Sequence, residues 1–235
     1  MNPRQQQILK AVVEEYVRSA EPVGSVAVAT VLGLDVSSAT IRNDMAILEE
    51  EGYLAQPHTS AGRVPTEKAY LHYIQYFAQS TKSSPGAERK LKNAVDEEDP
   101  GRALRAMART LGELSGELAI VATDPDRVSY AGLSNLFDKP DFNDLTIMKA
   151  MSQLVDRFDE IVAETFLRLP SGAAPQVFVG GDNPFGENMS SILVKVRFPS
   201  GHIGMIGLVG PKRMDYGRNL GLVERTIKLI DDSNE

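Results

Sequence analysis

The sequence predicts an α+β protein in which an N-terminal winged helix-turn-helix domain precedes a second α/β domain with an antiparallel sheet. From Val36 to Thr66 the pattern is a helix, a short strand, a small polar loop and a returning strand, as in a recognition helix followed by a wing. After residue 100, helical stretches alternate with apolar strands, two of which flank the turn Pro199-Ser200-Gly201. The expected boundaries are 1–80 for the winged helix, 81–100 for a linker and charged helix, and 101–235 for the second domain.

The composition is that of an ordinary soluble globular protein, with 42% hydrophobic and 24% charged residues. Because the chain has no cysteine, disulfides, thiolate metal sites and cysteine nucleophiles are excluded. The N-terminus carries Arg4 and Lys10 without an apolar core, which predicts no signal peptide. The longest apolar run, Ile203 to Val209, is far shorter than the roughly 18 residues of a membrane span. We expect a cytoplasmic protein.

The charge balance argues against indiscriminate nucleic-acid binding. The net charge is −7, and residues 1–84 contain seven Lys and Arg against nine Asp and Glu. A DNA-binding domain usually carries a basic surface. A DNA-binding interpretation therefore depends on where the few cations lie.

Capping signals place the first helices. Asn2, Pro3 and Gln5 form the start of a capping box, and apolar residues then recur at helical spacing from Ile8 to Val17. After the break at residues 21–24, Ser25 is expected to cap a short second helix that Gly33 ends.

The third helix is the predicted recognition helix. Ser37 caps it, and Ile41, Met45 and Leu48 form its apolar face. Tyr53 to Gln56 and Arg63 to Pro65 are expected to pair as antiparallel strands. Thr66 then caps a fourth helix, whose aromatic face is either core or a dimer contact; that face comprises Tyr70, Tyr73, Ile74 and Phe77.

The second domain is predicted to alternate between helices and strands. Helices are expected at 87–98, 102–118, 141–157 and 220–231, and strands at 117–123, 176–180, 192–198 and 202–209.

The candidate DNA-binding residues lie on the third helix and the wing. Arg suits bidentate contact with guanine and Asn with adenine, so Arg42 and Asn43 are the candidate base readers. Small hydroxyl groups and a wing arginine suit phosphate and minor-groove contact. The alternatives are ordinary exposed helix residues, helix capping and turn chemistry. The full candidate set is Ser37, Ser38, Thr40, Arg42, Asn43, His58, Thr59, Ser60 and Arg63.

No enzymatic or metal site is predicted. The three histidines, His58, His72 and His202, lack the spacing of metal ligands. No phosphate-binding loop, nucleophile elbow or nucleophile–base pair is present, so no catalytic residue or cofactor is assigned. The loops 180–186 and 210–216 are either ligand or partner loops or simple connections.

Several segments resemble the heat-inducible transcription repressor HrcA family. The first domain carries E-P-V-G-S (21–25), G-L-D-V-S-S-A-T-I-R-N-D-M (33–45), L-E-E-E-G-Y-L (48–54) and the highly specific Q-P-H-T-S-A-G-R-V-P-T (56–66). The second carries L-S-N-L-F-D-K-P-D-F (133–142) and G-x-I-G-M-I-G-L-V-G-P-K-R-M-D-Y (201–216).

The resemblance implies a repressor of the groE and dnaK chaperone operons that binds the inverted-repeat operator CIRCE as a homodimer. It also implies that the chaperonin GroEL assists folding of the active repressor, and that the second domain is GAF-like with an inserted dimerising domain. Here the stretch between Asp124 and Leu133, where the insertion is expected, is only a short loop. The sequence therefore predicts a short form that lacks the inserted domain, and Lys212 replaces the usual Thr of the G-P-T-R-M motif.

Two other functions remain open. One is a regulator that senses a small effector in the GAF-like pocket. The other is a winged-helix module that binds a partner protein, which the acidic balance favours.

Overall fold

The chain forms two compact units, Met1–Ala78 and Gln79–Glu235. The computed structural model describes residues 1–33, 36–124, 127–142, 145–172, 174–199 and 201–233. Within these ranges no helix is long and apolar enough to cross a membrane. The division into 1–80, 81–100 and 101–235 stays a prediction.

The first unit is a winged helix. Its elements are α1 (Pro3–Ser19), α2 (Ser25–Leu32), α3 (Ser38–Glu50), β1 (Leu54–Ala55), β2 (Val64–Pro65) and α4 (Glu67–Tyr76). β1 and β2 pair antiparallel, with Leu54 opposite Pro65, as the sequence predicts. The turn residues Leu34 and Asp35 lie outside the described residues.

The helix starts follow from local chemistry. Asn2 and Gln5 make the complete capping box, and Ser37 and Thr66 cap α3 and α4, all as predicted. The prediction for Ser25 is wrong, because Gly24 is the cap residue and Ser25 is the first residue of α2. The physical reason is a bridge between Val23 and Arg63, which holds the chain extended through Gly24.

The core of this unit lies between α1 and α3. Ile8, Val12, Ile41 and Leu48 are buried, which confirms the predicted apolar faces. Asp44 of α3 is also buried and pairs with Arg4 of α1, with 2.6 Å between Nε and Oδ2. The carboxylate raises the pKa of the Arg4 guanidinium through this hydrogen bond. The contact ties the back of α3 to α1 and leaves the opposite face of α3 open.

The aromatic residues of α4 divide between core and surface. Tyr70 is buried, whereas Tyr76 is 60% exposed. His72 packs among Tyr53, Tyr76 and Phe77, and burial lowers its pKa.

The second unit is an antiparallel sheet covered by helices. Its elements are α5 (Pro85–Val95), α6 (Pro100–Ser115), β3 (Leu118–Asp124), β4 (Arg127–Ala131), α7 (Leu133–Phe137), a 3₁₀ turn (Pro140–Phe142), α8 (Leu145–Asp156), α9 (Phe158–Arg168), β5 (Gln176–Val179), a second 3₁₀ turn (Gly180–Asp182), β6 (Met189–Arg197), β7 (Ile203–Pro211) and α10 (Tyr216–Asp232). The strand order is β4-β3-β7-β6-β5, and all neighbours are antiparallel.

The two faces of the sheet carry alternate residues of each strand. Leu118 and Ile120 belong to a cluster with the aromatic side chains Phe142, Phe158 and Phe185. On the other face, helices α6 and α10 lie against the sheet. The predicted hairpin of β6 and β7 is confirmed, although Ser200 of its turn lies outside the described residues.

The structure contains elements that the sequence analysis missed. The stretch expected to be a short loop holds strand β4, which pairs with β3 at the sheet edge. The expected helix at 141–157 is shorter, and α9 follows it directly after Arg157. Pro125 and Asp126, between β3 and β4, lie outside the described residues.

Two ion pairs hold the segment 133–142 of the second unit, one to the start of β3 and one to the segment 201–216. Glu117 is 2% exposed, and Lys139 lies 2.5 Å from its Oε2 atom. Nearby, Arg213 pairs with Asp141 at 2.6 Å. A Cβ at Gly210 would overlap the Glu117 carboxylate, so a larger residue there would force this buried side chain to move. Burial raises the pKa of Glu117, which Lys139 partly offsets.

Lys212, which replaces the usual Thr of the G-P-T-R-M motif, accepts a hydrogen bond through its backbone. The Tyr216 hydroxyl donates to the backbone carbonyl of Lys212 at 2.5 Å. A backbone acceptor does not depend on the side chain, so the lysine is compatible with the same loop closure.

Candidate nucleic-acid interface

The N-terminus of α3 is held by two of the candidate hydroxyl groups. Ser37 Oγ accepts from the backbone N–H of Thr40 at 3.2 Å and lies 3.0 Å from Thr40 Oγ1. Ser37 is exposed, while Ser38 and Thr40 are half-buried. Capping and phosphate contact are compatible for Ser37, since a hydroxyl oxygen has a second lone pair and a rotatable proton.

The open face of α3 presents the two candidate base readers. Arg42 and Asn43 are exposed, whereas Ile41, Asp44 and Met45 are buried against the rest of the unit. Both side chains lie in the first two turns of the helix. Residues at this end of a recognition helix are the ones that reach base edges in the DNA major groove.

The wing is organised by its own hydrogen bonds. Gln56 Nε2 donates to the carbonyls of Thr59 and Ala61, each at 3.0 Å. The N–H of Ala61 donates to the carbonyl of His58 at 2.9 Å. His58, Thr59 and Ser60 are exposed at the tip. The candidate wing residues therefore share one ordered loop.

Arg63 has a different setting from the other wing candidates. Its Nε atom donates to Glu49 Oε2 at 2.8 Å, and its side chain is 17% exposed. This ion pair joins the base of the wing to α3. In the free protein, the charge of Arg63 is therefore neutralised by Glu49. No local pattern in the sequence indicates this ion pair.

Gly62 allows the wing to pack against the segment before α2. Arg63 exchanges both backbone hydrogen bonds with Val23, at 2.8 and 2.9 Å. A Cβ at Gly62 would lie 2.5 Å from the carbonyl carbon and oxygen of Val23. That contact is with backbone, so the strand bridge would have to move.

Gly62→Ala is therefore expected to lower the free energy of unfolding by about 1–3 kcal/mol. Urea denaturation of the full chain measures this loss. Gly24→Ala is the matched control, because a Cβ there meets nothing within 4 Å and changes only the cap preference. Equal losses for the two variants would contradict the close-approach explanation.

The wing, α2 and α3 enclose an open groove of about 470 Å³, which we call the interface groove. Gly24 and Ser25 line it at the start of α2, and Arg42 and Met45 line it from α3. The wall on the wing side consists of Val23, Gln56, Thr59, Ser60, Ala61, Gly62 and Arg63. None of these lining residues is acidic, although the unit as a whole is.

Ion pairs and other contacts occupy most of the cations of the first unit. Arg4, Lys10, Arg18 and Arg63 each pair with a carboxylate of the same unit. Lys68 donates to the carbonyl of Glu51 and lies over the Tyr53 ring. Among the Lys and Arg residues within 1–33 and 36–78, only Arg42 has no partner in the described structure. The unpaired guanidinium lies in the interface groove.

Part of the site is not visible in the sequence. Ser25 and Gly24 line the groove, and Glu49 forms an ion pair with Arg63. The first two reach the groove because the Val23–Arg63 bridge brings the start of α2 to the wing. Val23 and Arg63 are forty residues apart, and no local pattern indicates that they pair.

Two family models match the chain. The model described as "Winged helix-turn-helix transcription repressor, HrcA DNA-binding" covers residues 1–77, and "HrcA protein C terminal domain" covers residues 67–220.

Curated relatives match about half of the chain. The heat-inducible transcription repressor HrcA of Bifidobacterium longum (strain DJO10A) is 50% identical over 124 residues, which are 51% of this chain and 32% of the relative. The protein of the same name from Mycobacteroides abscessus is 47% identical over 123 residues, which are 50% of this chain and 35% of the relative. The match thus spans about a third of the length of these relatives.

A solved structure described as a hypothetical protein at 2.2 Å resolution shares the fold. It is 21% identical, has a TM-score of 0.76, and the superposition covers 100% of this chain and 97% of that chain. Together with the family models, it confirms the predicted fold class, a winged helix followed by a GAF-like α/β domain with an antiparallel sheet.

Proposed function

Because the chain belongs to the HrcA family, whose two models together cover residues 1–220, we propose that it is a sequence-specific DNA-binding repressor of the groE and dnaK chaperone operons. Its operator is the CIRCE inverted repeat. The observation that carries the proposal is the interface groove, which places the unpaired Arg42 between the recognition helix and an ordered wing. The proposed protein acts in the cytoplasm and catalyses no reaction.

Each candidate residue has a role in the proposed complex. Arg42 reads guanine, and Asn43 reads adenine in the DNA major groove. Ser37, Ser38 and Thr40 lie at the N-terminus of α3, where hydroxyl and N–H groups suit phosphate. The wing contacts the adjacent phosphates or the minor groove through His58, Thr59 and Ser60.

The proposed repressor acts as a homodimer, because an inverted repeat presents two equivalent half-sites to two recognition helices. GroEL is the proposed folding partner, on the ground of family membership alone. Protection of one inverted repeat upstream of groE and dnaK, in nuclease footprints with the purified full chain, tests the proposal. Absence of protection at protein concentrations that saturate other DNA would overturn it.

The Glu49–Arg63 ion pair gives a prediction about affinity. Glu49→Gln should release Arg63 for phosphate contact and raise the affinity for a random duplex by about three- to ten-fold at low salt, with a steeper salt dependence. Arg63→Ala should weaken binding to operator and random duplex alike, because it leaves an unneutralised carboxylate beside the groove.

Fluorescence anisotropy at several salt concentrations measures both changes. Glu15→Gln is the control for Glu49→Gln, since Glu15 pairs with the exposed Arg18 outside the interface groove. If Glu49→Gln binds random DNA no more tightly than Glu15→Gln does, Arg63 is not a latent phosphate contact.

A second candidate function is suggested by a cavity in the second unit. A mostly apolar cavity of about 200 Å³ lies among α5, α6, α10 and the end of β3. Thr123 lines it, and its buried hydroxyl has no partner among the described residues. A small apolar effector with one polar atom fits this chemistry. A rise in melting temperature of the full chain with such a compound, lost in Thr123→Val, would support effector sensing.

A further inference from the structure

The N-terminus of α2 opens into the interface groove, and Ser25 lies at this opening. Ser25 is 8% exposed and lines the groove. Among the residues that the structure describes, none hydrogen-bonds to the Ser25 hydroxyl. Gly24, the cap residue, offers no side-chain acceptor to the first turn of α2. The hydroxyl of a nearly buried residue and the uncapped first turn of α2 therefore lie at the same opening.

The surroundings favour an anion at this point. The first-turn N–H groups of a helix carry partial positive charge and bind phosphate. Arg42 lines the same groove and has no partner among the described residues, and none of the lining residues named above is acidic. The side chain of Ser25 is too short and too deeply placed to follow a base edge into a DNA groove. A phosphate can instead approach the helix end itself.

We propose that Ser25 and the first turn of α2 bind one phosphate of the DNA backbone beside the base-reading Arg42. This inference rests on the proposed function and assigns a contact outside α3 and the wing tip. The bound phosphate fixes the register of α3 on the duplex, because backbone contacts position a protein while base contacts specify the sequence.

Introduction of a negative charge separates binding from folding at this position. Ser25→Asp places a carboxylate at the start of α2, where a helix N-terminus stabilises negative charge. The melting temperature of the full chain should therefore stay level or rise. Affinity for both operator and random duplexes should fall about ten-fold or more, because the carboxylate repels the phosphate. Gln6→Glu is the control, since it adds the same charge near the N-terminus of α1, outside the groove.

Removal of single phosphate charges locates the contact. Operator duplexes that each carry one methylphosphonate should bind the wild-type protein more weakly at every phosphate that it contacts. One of these positions per half-site should face Ser25, and its modification should cost about ten-fold in affinity. Ser25→Ala should show a weaker loss at that position and unchanged losses elsewhere. An unchanged map in Ser25→Ala, or wild-type affinity in Ser25→Asp, would overturn the inference.

The same titrations separate this inference from the proposed function. If the wild-type protein does not prefer the unmodified operator over a scrambled duplex, the proposed function fails. If that preference is present and binding does not depend on Ser25, only the phosphate site fails.

Discussion

Arg42→Ala is expected to abolish the preference of the protein for its operator over random DNA. A bidentate arginine–guanine contact contributes about 1–3 kcal/mol of discrimination, and a dimer on an inverted repeat uses two. The operator affinity should therefore fall by about 30-fold or more, while random-duplex affinity falls only by the loss of one charge per chain. No neighbouring cation can substitute, because the other described Lys and Arg side chains of the first unit are partnered.

Parallel anisotropy titrations of operator and scrambled duplexes measure the two losses. Arg18→Ala is the matched control, since it removes the same charge from a 76% exposed side chain outside the interface groove. An equal loss on both duplexes in the Arg42 variant would show that Arg42 binds phosphate and does not read a base.

Lys139→Ala is expected to destabilise the second unit strongly at neutral pH. It leaves the Glu117 carboxylate, whose side chain is 3% exposed, without its 2.5 Å partner. Breaking a buried ion pair on one side costs about 3–5 kcal/mol. Lys90→Ala is the control, because the Lys90–Glu113 pair is largely exposed and its loss should cost less than about 1 kcal/mol.

The pH dependence of this loss has a defined sign. Burial already raises the pKa of Glu117 above its ordinary value of 4.5, and removing Lys139 raises it further. The folded state of the variant then binds this proton more tightly than the unfolded state. The destabilisation should shrink as the pH falls through the raised pKa towards 4.5.

Urea denaturation at neutral and mildly acidic pH tests this dependence. The double variant Glu117→Gln/Lys139→Ala should regain most of the stability at neutral pH, since no buried charge remains. A loss that is the same at both pH values, with no recovery in the double variant, would contradict the ion-pair explanation.

Sequence reasoning succeeded where the determinant is local. The capping box of Asn2 and Gln5 and the cap at Ser37 each depend on residues three positions apart, which a pattern reveals directly. The apolar face of α3 follows from helical periodicity. Arg42 could be selected for its chemistry and its position on that helix.

Sequence reasoning failed where the determinant is tertiary. Serine is a common cap residue, so the sequence predicts that Ser25 caps α2. The pairing of Val23 with Arg63 instead moves the helix start by one residue. Arginine is a common phosphate contact, yet the charge of Arg63 is neutralised by Glu49, which lies fourteen positions earlier in the sequence. A single sequence shows neither pairing, because both depend on how the wing packs.

The missed elements of the second unit have a related cause. β4 is a partly exposed edge strand, so it lacks the continuous apolar run that marked β3. A single residue, Arg157, separates α8 from α9, and it is not a glycine or proline and makes no side-chain cap. Because the sequence has no helix-ending residue at this point, the boundary between α8 and α9 could not be predicted.

The most direct test of DNA recognition is an anisotropy titration of the full chain at one stated salt concentration, with complex mass read by light scattering. The duplexes are a CIRCE-type inverted repeat, a single half-site and a scrambled sequence. We predict tight binding to the full repeat alone, with two chains per duplex. Equal and weak binding to all three duplexes would contradict the proposed sequence-specific repressor.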